Sequence, residues 1–397
     1  MSLDAQLTCS LAPGVEPAEE TILDAEQAAT RVADLAEEAL QSGTFGIGGL
    51  LMGLDGRVIA QARNAVIHGN SVFDPTAHVE RQLVDWYFAT RNSLSPPPNE
   101  IVIVSSLDPC AMCTGAILKA GFKVIAVGED PTSGIHSPRL KLLPEDTRKE
   151  IDARFRIFRR AHQNSSFVPG FPAQLSGQIS DVTWGRSCKA FLESLEHVRS
   201  LVSGEPGRGR PIVPRLRGSV EDLPDPGTVR VPPQHLDIGD VRRVPVELLA
   251  VELEDNQSWL IDSFGKLLLI ADSREQLSPS RSSILELIRG YSRLRRQSPQ
   301  IARSGTLPHP RQCSVLTKHP PGSVAQALLD LGALGSFLEG RRESSSFPLL
   351  TVLEGDIKQA ERYVSALPTL YTDEIGVSVG RLSSELPSHG AHVLYRT

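Results

Sequence analysis

The 397-residue chain has no long hydrophobic run and no excess of positive charge. No apolar run approaches the roughly 20 residues that cross a bilayer, so we expect no membrane-spanning segment. The formal net charge is -6 and the pI is about 6.0, so no overall positive field would attract a nucleic acid. The N-terminal stretch is acidic and lacks the basic start of a secretory signal. These absences predict a cytoplasmic protein and argue against membrane and nucleic-acid partners.

Cysteine is also scarce. The five cysteines stand at positions 9, 110, 113, 188 and 313, an odd number without the spacing of a disulfide framework. Two of them form a C-x-x-C motif, Cys110 and Cys113. This usage favours a metal site in a reducing compartment over a disulfide-stabilised secreted domain.

The length predicts two or three domains. Residues 1–20 are expected to form a flexible leader, and residues 21–203 a first domain. Residues 204–240 are rich in proline and glycine and are predicted to be a linker. Hydrophobic patterning resumes after it, so residues 241–397 are predicted to form a second domain.

The first domain alternates helical and extended patterns. We predict helices over 21–42, 78–91 and 111–120, strands over 47–54, 57–62, 101–105 and 123–128, and further helices near 145–162 and 187–203. This order of elements predicts an α/β fold, a three-layer α/β/α sandwich with a mixed central sheet.

Two motifs about thirty residues apart carry the chemistry. An H-x-E motif supplies His78 and Glu80, and a P-C-x-x-C motif supplies Cys110 and Cys113 at the predicted start of a helix. One imidazole and two thiolates are the three protein ligands of a hydrolytic zinc site, which keeps a fourth position open. Glu80 need not share the ligand direction of His78, so it is the candidate proton carrier.

Each motif has a simpler interpretation when it is taken alone. A C-x-x-C motif also occurs in structural zinc sites and in redox pairs. A structural zinc site needs a fourth ligand, and the sequence has no second C-x-x-C motif; a redox pair needs no H-x-E motif. The two motifs together therefore predict a catalytic Zn²⁺ site.

The first half resembles the cytidine/deoxycytidylate deaminase superfamily over about residues 21–165. It looks closest to the branch that holds guanine deaminase, fungal cytosine deaminase and bacterial tRNA adenosine deaminase. The similarity lies in DPTAHVE at 74–80, where Val79 replaces the usual alanine, and in PCAMCTGA at 109–116. It implies hydrolytic release of ammonia from a nucleobase, a nucleoside or a related amino-heterocycle, with Glu80 moving protons to a ring nitrogen and to the leaving group.

The same resemblance implies a set of substrate-binding residues. Asn64 would form a hydrogen bond to the base or sugar, and Phe45 would line the pocket. The backbone around Ala77 and Asp108 would contact the edge of the ring. The chain departs from the family pattern at Thr44, where the family has a proline.

The second half is predicted to be a degenerate copy of the first, so that the chain is duplicated. In this alignment Ser282 replaces His78, Ile284 replaces Glu80, Pro321 replaces Cys110 and Val324 replaces Cys113. Strands over 248–252 and 266–271 would supply its hairpin. These replacements predict a catalytically inactive, deaminase-like domain that pairs with the first half within one chain. A homodimer also remains open.

Two other functions stay open at this point. The first is RNA adenosine editing, as an enzyme or a subunit, with the basic strip 154–160 as an RNA contact; that strip also suits a helix with a solvated basic face. The second is a non-catalytic binding protein that zinc stabilises.

Overall fold

The structure, a computed structural model, describes most of the first half and shorter stretches of the second. The described residues are 12–68, 71–138, 141, 143–158, 170–204, 229–230, 246–248, 256–262, 267–273, 275–297, 310, 313–317, 322–337, 350–352, 358, 362, 365, 377–382 and 392–396. Within them, no helix is both long and apolar enough to cross a membrane.

The first half is built on a six-stranded sheet with strand order β1-β3-β2-β6-β7-β8. The strands of the first half are β1 (Val15–Thr21), β2 (Gly48–Gly53), β3 (Arg57–Arg63), β4 (Ile67–His68), β5 (Ser71–Val72), β6 (Ile101–Leu107), β7 (Lys123–Gly128) and β8 (Phe155–Ile157). Strand β2 pairs antiparallel with β3 and β6, whereas β6, β7 and β8 are parallel. The predicted mixed sheet is confirmed.

In the described part of the first half, five α-helices accompany this sheet, which is covered on both faces. They are α1 (Ala25–Gln41), α2 (Val79–Thr90), α3 (Ala111–Ala120), α4 (Glu145–Arg154) and α5 (Asp181–Gly204). Successive side chains of a strand point to opposite faces, so Leu50 packs with Val32 of α1 while Leu51 packs with Leu83 of α2. The three-layer α/β/α sandwich is confirmed, and its fully buried strands explain the continuous apolar runs.

The predicted leader is wrong for residues 15–20, which belong to β1. This strand pairs antiparallel with β3 at the edge of the sheet, with Val15 opposite Ala62. Its sequence, VEPAEET, is mostly polar because most of its side chains face away from the core. An edge strand of this kind lacks the hydrophobic alternation that reveals a strand. Residues 1–11 lie outside the described part of the chain.

Two further boundaries are corrected. The helix predicted near 145–162 ends at Arg154, and Phe155–Ile157 form β8 at the other edge of the sheet. Phe155 and Ile157 are buried on either side of Arg156, a period of two that the basic residues mask. Within the predicted linker, Val229–Arg230 form β9, which pairs with a strand of the second sheet; the other linker residues from 205 onward lie outside the described residues.

The second half has an eight-stranded sheet of order β10-β16-β15-β14-β13-β11-β12-β9. Its further elements are β10 (Val246–Leu248), β11 (Gln257–Asp262), β12 (Leu267–Asp272), α6 (Ser283–Gln297), β13 (Cys313–Thr317), α7 (Val324–Phe337), β14 (Leu350–Val352), β15 (Val377–Leu382) and β16 (His392–Arg396). The hairpin is β11–β12, so its first strand starts later than the predicted 248–252.

The strand order of the second sheet repeats that of the first. Strand β11 pairs antiparallel with β12 and β13, just as β2 pairs with β3 and β6. Strands β13, β14 and β15 are parallel, just as β6, β7 and β8 are. Helix α6 precedes β13 and α7 follows it, as α2 and α3 flank β6. This common topology supports the predicted duplication.

The predicted replacements can be placed on this topology. Ser282 directly precedes α6 as His78 precedes α2, and Ile284 is the second residue of α6 as Glu80 is of α2. Val324 is the first residue of α7 whereas Cys113 is the third of α3, so that part of the alignment is out of register. Pro321 lies outside the described residues.

The halves contact each other where α3 packs on α7. A Cβ atom at Gly115 would lie 2.3 Å from the backbone nitrogen of Leu329, and one at Gly332 would lie 2.3 Å from that of Met112. Both distances are far inside van der Waals contact. The two helices therefore approach backbone to backbone, and a glycine in each makes this approach possible.

We expect Gly115→Ala and Gly332→Ala each to destabilise the protein by about 1–3 kcal/mol, because the added methyl group has only backbone to displace. The control is Gly185→Ala in α5, where a Cβ meets nothing within 4 Å. There the better helix propensity of alanine should stabilise by up to about 1 kcal/mol. Denaturant unfolding of the three variants measures these changes. Equal effects at all three positions would contradict the close helix contact.

A second prediction concerns Asp330 of α7, which is buried and accepts a hydrogen bond from Gln326 Nε2 at 2.7 Å. Burial raises the pKa of its carboxyl to about 6, above that of an unfolded chain. The folded state therefore loses stability as pH rises from about 4 through 6. At pH 7.5 the substitution Asp330→Asn should raise the free energy of unfolding by about 2 kcal/mol. The gain should vanish below pH 4. Denaturant unfolding at both pH values checks this, and an equal gain at both would contradict it.

Candidate active site

Three of the predicted site residues come together as a potential metal cluster. One ligand atom each from His78, Cys110 and Cys113 lies within 4.8 Å of the others. His78 and Cys113 are buried and Cys110 is half-buried. The starts of α2 and α3 carry all three residues, so the cluster is formed where two helices begin beside the same sheet.

A tightly bonded loop presents His78. The Asp74 carboxylate accepts hydrogen bonds from the backbone nitrogen (2.9 Å) and the hydroxyl (2.6 Å) of Thr76. The Ala77 nitrogen donates to the Asp74 carbonyl at 2.9 Å, and the Ala77 carbonyl accepts from the Ala65 nitrogen at 3.0 Å. His78 then occupies the position that caps α2, with an extended backbone. The loop thereby determines where the imidazole lies.

The two cysteines share one side of α3. Cys110 caps the helix and Cys113 is its third residue, so their spacing directs both sulfurs to one point. The Cys110 sulfur lies 3.5 Å from Nδ1 of His78. The hydrogen bond from Cys113 and the nearby imidazole lower the pKa of the Cys110 thiol well below its ordinary value. A lowered thiol pKa favours the thiolate, the form that binds metals.

These residues fit zinc. Zinc–sulfur and zinc–nitrogen bonds of about 2.3 and 2.0 Å at a tetrahedral angle separate the two ligand atoms by about 3.5 Å. That is the separation between Cys110 Sγ and His78 Nδ1. Among the described residues, no fourth histidine, cysteine or carboxylate joins the cluster. Three ligands of this type are those of a catalytic rather than a structural zinc site.

Glu80 lies beside the cluster and outside it. Its Oε1 accepts a hydrogen bond of 2.7 Å from the hydroxyl of Ser105, on β6. Burial raises the pKa of the Glu80 carboxyl, although the Ser105 hydrogen bond opposes the change. The Ser105 hydroxyl thus orients the carboxyl group, and the side chain of Cys113 also forms a hydrogen bond with it.

The side chain of the predicted substrate residue Asn64 forms hydrogen bonds to the described residues through its oxygen atom only. Its Oδ1 accepts hydrogen bonds from the Thr44 hydroxyl (2.7 Å) and the Val66 nitrogen (3.0 Å). Its Nδ2 is buried and has no hydrogen-bond partner within the described protein. A buried N–H group without a partner is costly, so a ligand that accepts a hydrogen bond from this donor would be favoured. Phe45 contacts the His78 ring edge-on, with centroids 6.3 Å apart.

Asp108 and Ala77 are engaged within the protein. The Asp108 carboxylate accepts from the backbone nitrogen of His136 at 3.0 Å and pairs with its Nδ1 at 2.7 Å. Burial raises the pKa of this carboxyl, and the His136 hydrogen bonds oppose the change. The Ala77 nitrogen donates to the Asp74 carbonyl, and the Ala77 carbonyl accepts from the Ala65 nitrogen and from Gln82 Nε2. A role of Ala77 and Asp108 in substrate contact stays a prediction.

Sequence reasoning missed three partners of the site residues, namely Ser105, His136 and Thr44. Ser105 lies in a buried strand, where a hydroxyl in the run IVIVSSL is the visible signal. Thr44 departs from the family proline, and the structure gives a reason: its hydroxyl donates to Asn64 and accepts from the Ile67 nitrogen at 3.1 Å.

Comparison with known proteins agrees with this geometry. Residues 23–129 match the family model described as the cytidine and deoxycytidylate deaminase zinc-binding region. A cytosine deaminase of Candida albicans is 32% identical over 100 residues, which is 24% of this chain and 61% of that protein. The chain therefore spans about three fifths of the length of this curated relative.

Solved structures give two further similarities. A guanine deaminase from Nitrosomonas europaea is 15% identical, with coverage of 44% of this chain and 88% of that one and a TM-score of 0.28. A chain from structural studies of tRNA:A34 deaminases is 27% identical, with coverage of 27% and 83% and a TM-score of 0.21. The family match covers both predicted motifs, and it confirms the resemblance of the first half to the cytidine and deoxycytidylate deaminases.

Proposed function

We propose that the first half is a zinc-dependent hydrolytic deaminase of a nucleobase, a nucleoside or a related amino-heterocycle, and that it releases ammonia. The single observation that carries this proposal is the buried carboxyl of Glu80 beside a three-ligand cluster. A zinc ion that only stabilises the fold needs no such carboxyl. Hydrolysis does need one, because a proton must leave the attacking water and reach the departing amine.

Each residue then has a defined task. His78, Cys110 and Cys113 would hold the zinc ion, which supplies a Lewis acid and lowers the pKa of water at its open position. Glu80 accepts one proton from the attacking water and delivers it to a ring nitrogen. It then takes the second water proton, from the hydroxyl group added to the ring carbon, and delivers it to the amino group that leaves as ammonia. Ser105 fixes Oε1 of Glu80, so the same carboxyl is presented at each transfer.

Asn64 supports a substrate with a hydrogen-bond acceptor. Because two donors already occupy its Oδ1, the amide group can offer only its Nδ2 hydrogens. A ring carbonyl or an unprotonated ring nitrogen accepts such a bond, and both occur on amino-heterocycles. Phe45, whose ring contacts that of His78 edge-on, supplies an apolar wall for a flat ring.

The basic strip gives little support to the RNA-editing alternative. The Arg154 guanidinium is mostly buried and donates to the backbone carbonyls of Ile117 and Phe122 at 2.7 and 2.8 Å. Arg156 bonds to backbone carbonyls of its own segment. Arg159 and Arg160 lie outside the described residues. Arginines that serve the fold have fewer N–H groups left for phosphates, so a small-molecule substrate is favoured over a nucleic acid.

We also propose that the second half is an inactive copy. The position before α6 carries Ser282 and the second helical position carries Ile284, which offer neither an imidazole nor a proton carrier. The repeated strand order supports a common origin of the halves, and their helix contact supports intramolecular pairing in place of a second subunit. One zinc ion per chain is the expected stoichiometry.

Glu80→Gln should retain about one zinc ion per chain and lose ammonia release by about 10²- to 10⁴-fold, because the amide cannot carry protons. Ammonia release from a panel of bases, nucleosides, aminopyrimidines and aminotriazines measures activity, and metal analysis measures zinc. The control Ser105→Ala keeps the carboxyl and should lose much less. Full activity of Glu80→Gln would contradict the catalytic role. Zinc-loaded wild type that is inactive on the whole panel would favour the non-catalytic binding protein.

Asn64→Asp should lower kcat/KM by about 10- to 100-fold, because it keeps the acceptor for Thr44 and Val66 but replaces the Nδ2 donor by an oxygen. The matched control is Thr44→Val, which removes one bond to Asn64 and leaves Nδ2 in place. Steady-state kinetics with the best substrate of the panel separate the two. Unchanged kcat/KM in Asn64→Asp would remove Asn64 from the binding site.

A further inference from the structure

The loop that presents His78 is anchored from the other half of the chain. Arg289, on α6, donates from Nε to Oδ2 of Asp74 at 2.9 Å. The other carboxylate oxygen of Asp74 holds Thr76, which lies two residues before the zinc ligand. The Arg289 side chain of the second half is therefore connected to the metal cluster through the four loop residues 74–77.

The charges of the first half alone do not balance at this point. Asp74 and Asp85 are both fully buried, and Arg81 is the buried cation beside them. Arg81 lies against Asp85 and is 3.7 Å from Asp74, and it also donates to the Thr76 carbonyl. One guanidinium thus faces two carboxylates, and a buried carboxylate without a cation is strongly destabilising.

The second half supplies the missing cation and a further hydrogen bond. Arg289 is 2% exposed, so its guanidinium is as deeply buried as the carboxylate it contacts. The hydroxyl of Ser280, in the loop before α6, donates to Asp85. Burial alone would raise the pKa of Asp74, yet Arg289 and Arg81 together hold that pKa well below its ordinary value. The ionised form of Asp74 is thereby the one that orients the loop.

We propose that Arg289 is a positioning residue of the zinc site, acting through Asp74 on the loop that places His78. The second half then serves the site directly, although its own ligand positions are replaced. Side chains that orient metal ligands from outside the ligand set commonly alter metal affinity by about 10- to 100-fold when they are lost. This inference rests on the zinc site and on no particular substrate.

The test measures zinc affinity of the full chain by competition with a chromophoric chelator. Arg289→Gln should weaken zinc binding by about 10- to 100-fold, because Asp74 loses its main partner and no longer holds Thr76 in place. The matched control is Arg281→Gln on the same segment. It breaks a buried ion pair with Glu286 at 2.6 Å but leaves the Arg289–Asp74 contact in place. It should lose comparable thermal stability and stay within about 3-fold of the wild-type zinc affinity.

A double variant separates positioning from a general loss of stability. Asp74→Asn with Arg289→Gln removes both charges of the pair and keeps an acceptor for Thr76. We expect the double variant to fold and to recover most of the wild-type zinc affinity. If the two substitutions acted independently, the double variant would bind zinc more weakly than Arg289→Gln alone.

Three outcomes overturn the proposal: a folded Arg289→Gln with wild-type zinc affinity, an equal zinc loss in Arg281→Gln, or a double variant that does not bind zinc. If Arg289→Gln does not fold, the double variant decides. Because the readout is zinc binding, an inactive enzyme with normal zinc affinity would count against the proposed reaction and leave this inference intact.

Discussion

Two buried carboxylates that need cations connect the chemistry of this protein to its architecture. Asp74 shapes the loop before the zinc ligand His78, and a carboxylate in the interior is stable only when a cation neutralises it. The first half provides Arg81, which also serves Asp85. The second cation, Arg289, comes from a residue 215 positions later in the chain. The geometry of the metal site is thus coupled to the packing of the two halves.

The site itself follows from where helices begin beside the mixed sheet. Helices α2 and α3 start directly after His78 and Cys110, and both pack on the face of the sheet that Leu51 and Ile103 line. Their first turns supply the three ligands and Glu80. Strand β6, between β2 and β7, carries Ser105 to the same place. The proposed ligands and the proposed proton carrier therefore rest on regular elements, which hold a site more accurately than loops do.

The second half keeps the strand order of the first but not its ligands. It also keeps a close helix contact, in which Gly115 of α3 and Gly332 of α7 each face the backbone of the other helix. Ser282 and Ile284 stand where the first half has an imidazole and a carboxyl. Packing features without candidate ligands agree with the supporting role that we propose for α6.

The sequence by itself was sufficient for the features that depend on short spacings. The H-x-E and C-x-x-C motifs, the helices that carry them and the buried strands were all predictable, because ligand pairs three residues apart and hydrophobic periods are local properties. Only the tertiary structure decided the rest. The edge strand β1 is mostly polar, and the short alternation of β8 lies within a basic strip that also suits a helix. The partnerships of Glu80 with Ser105 and of Asp74 with Arg289 join distant segments. Contacts of this kind arise from the packing of the sheets and helices, and no local pattern encodes them.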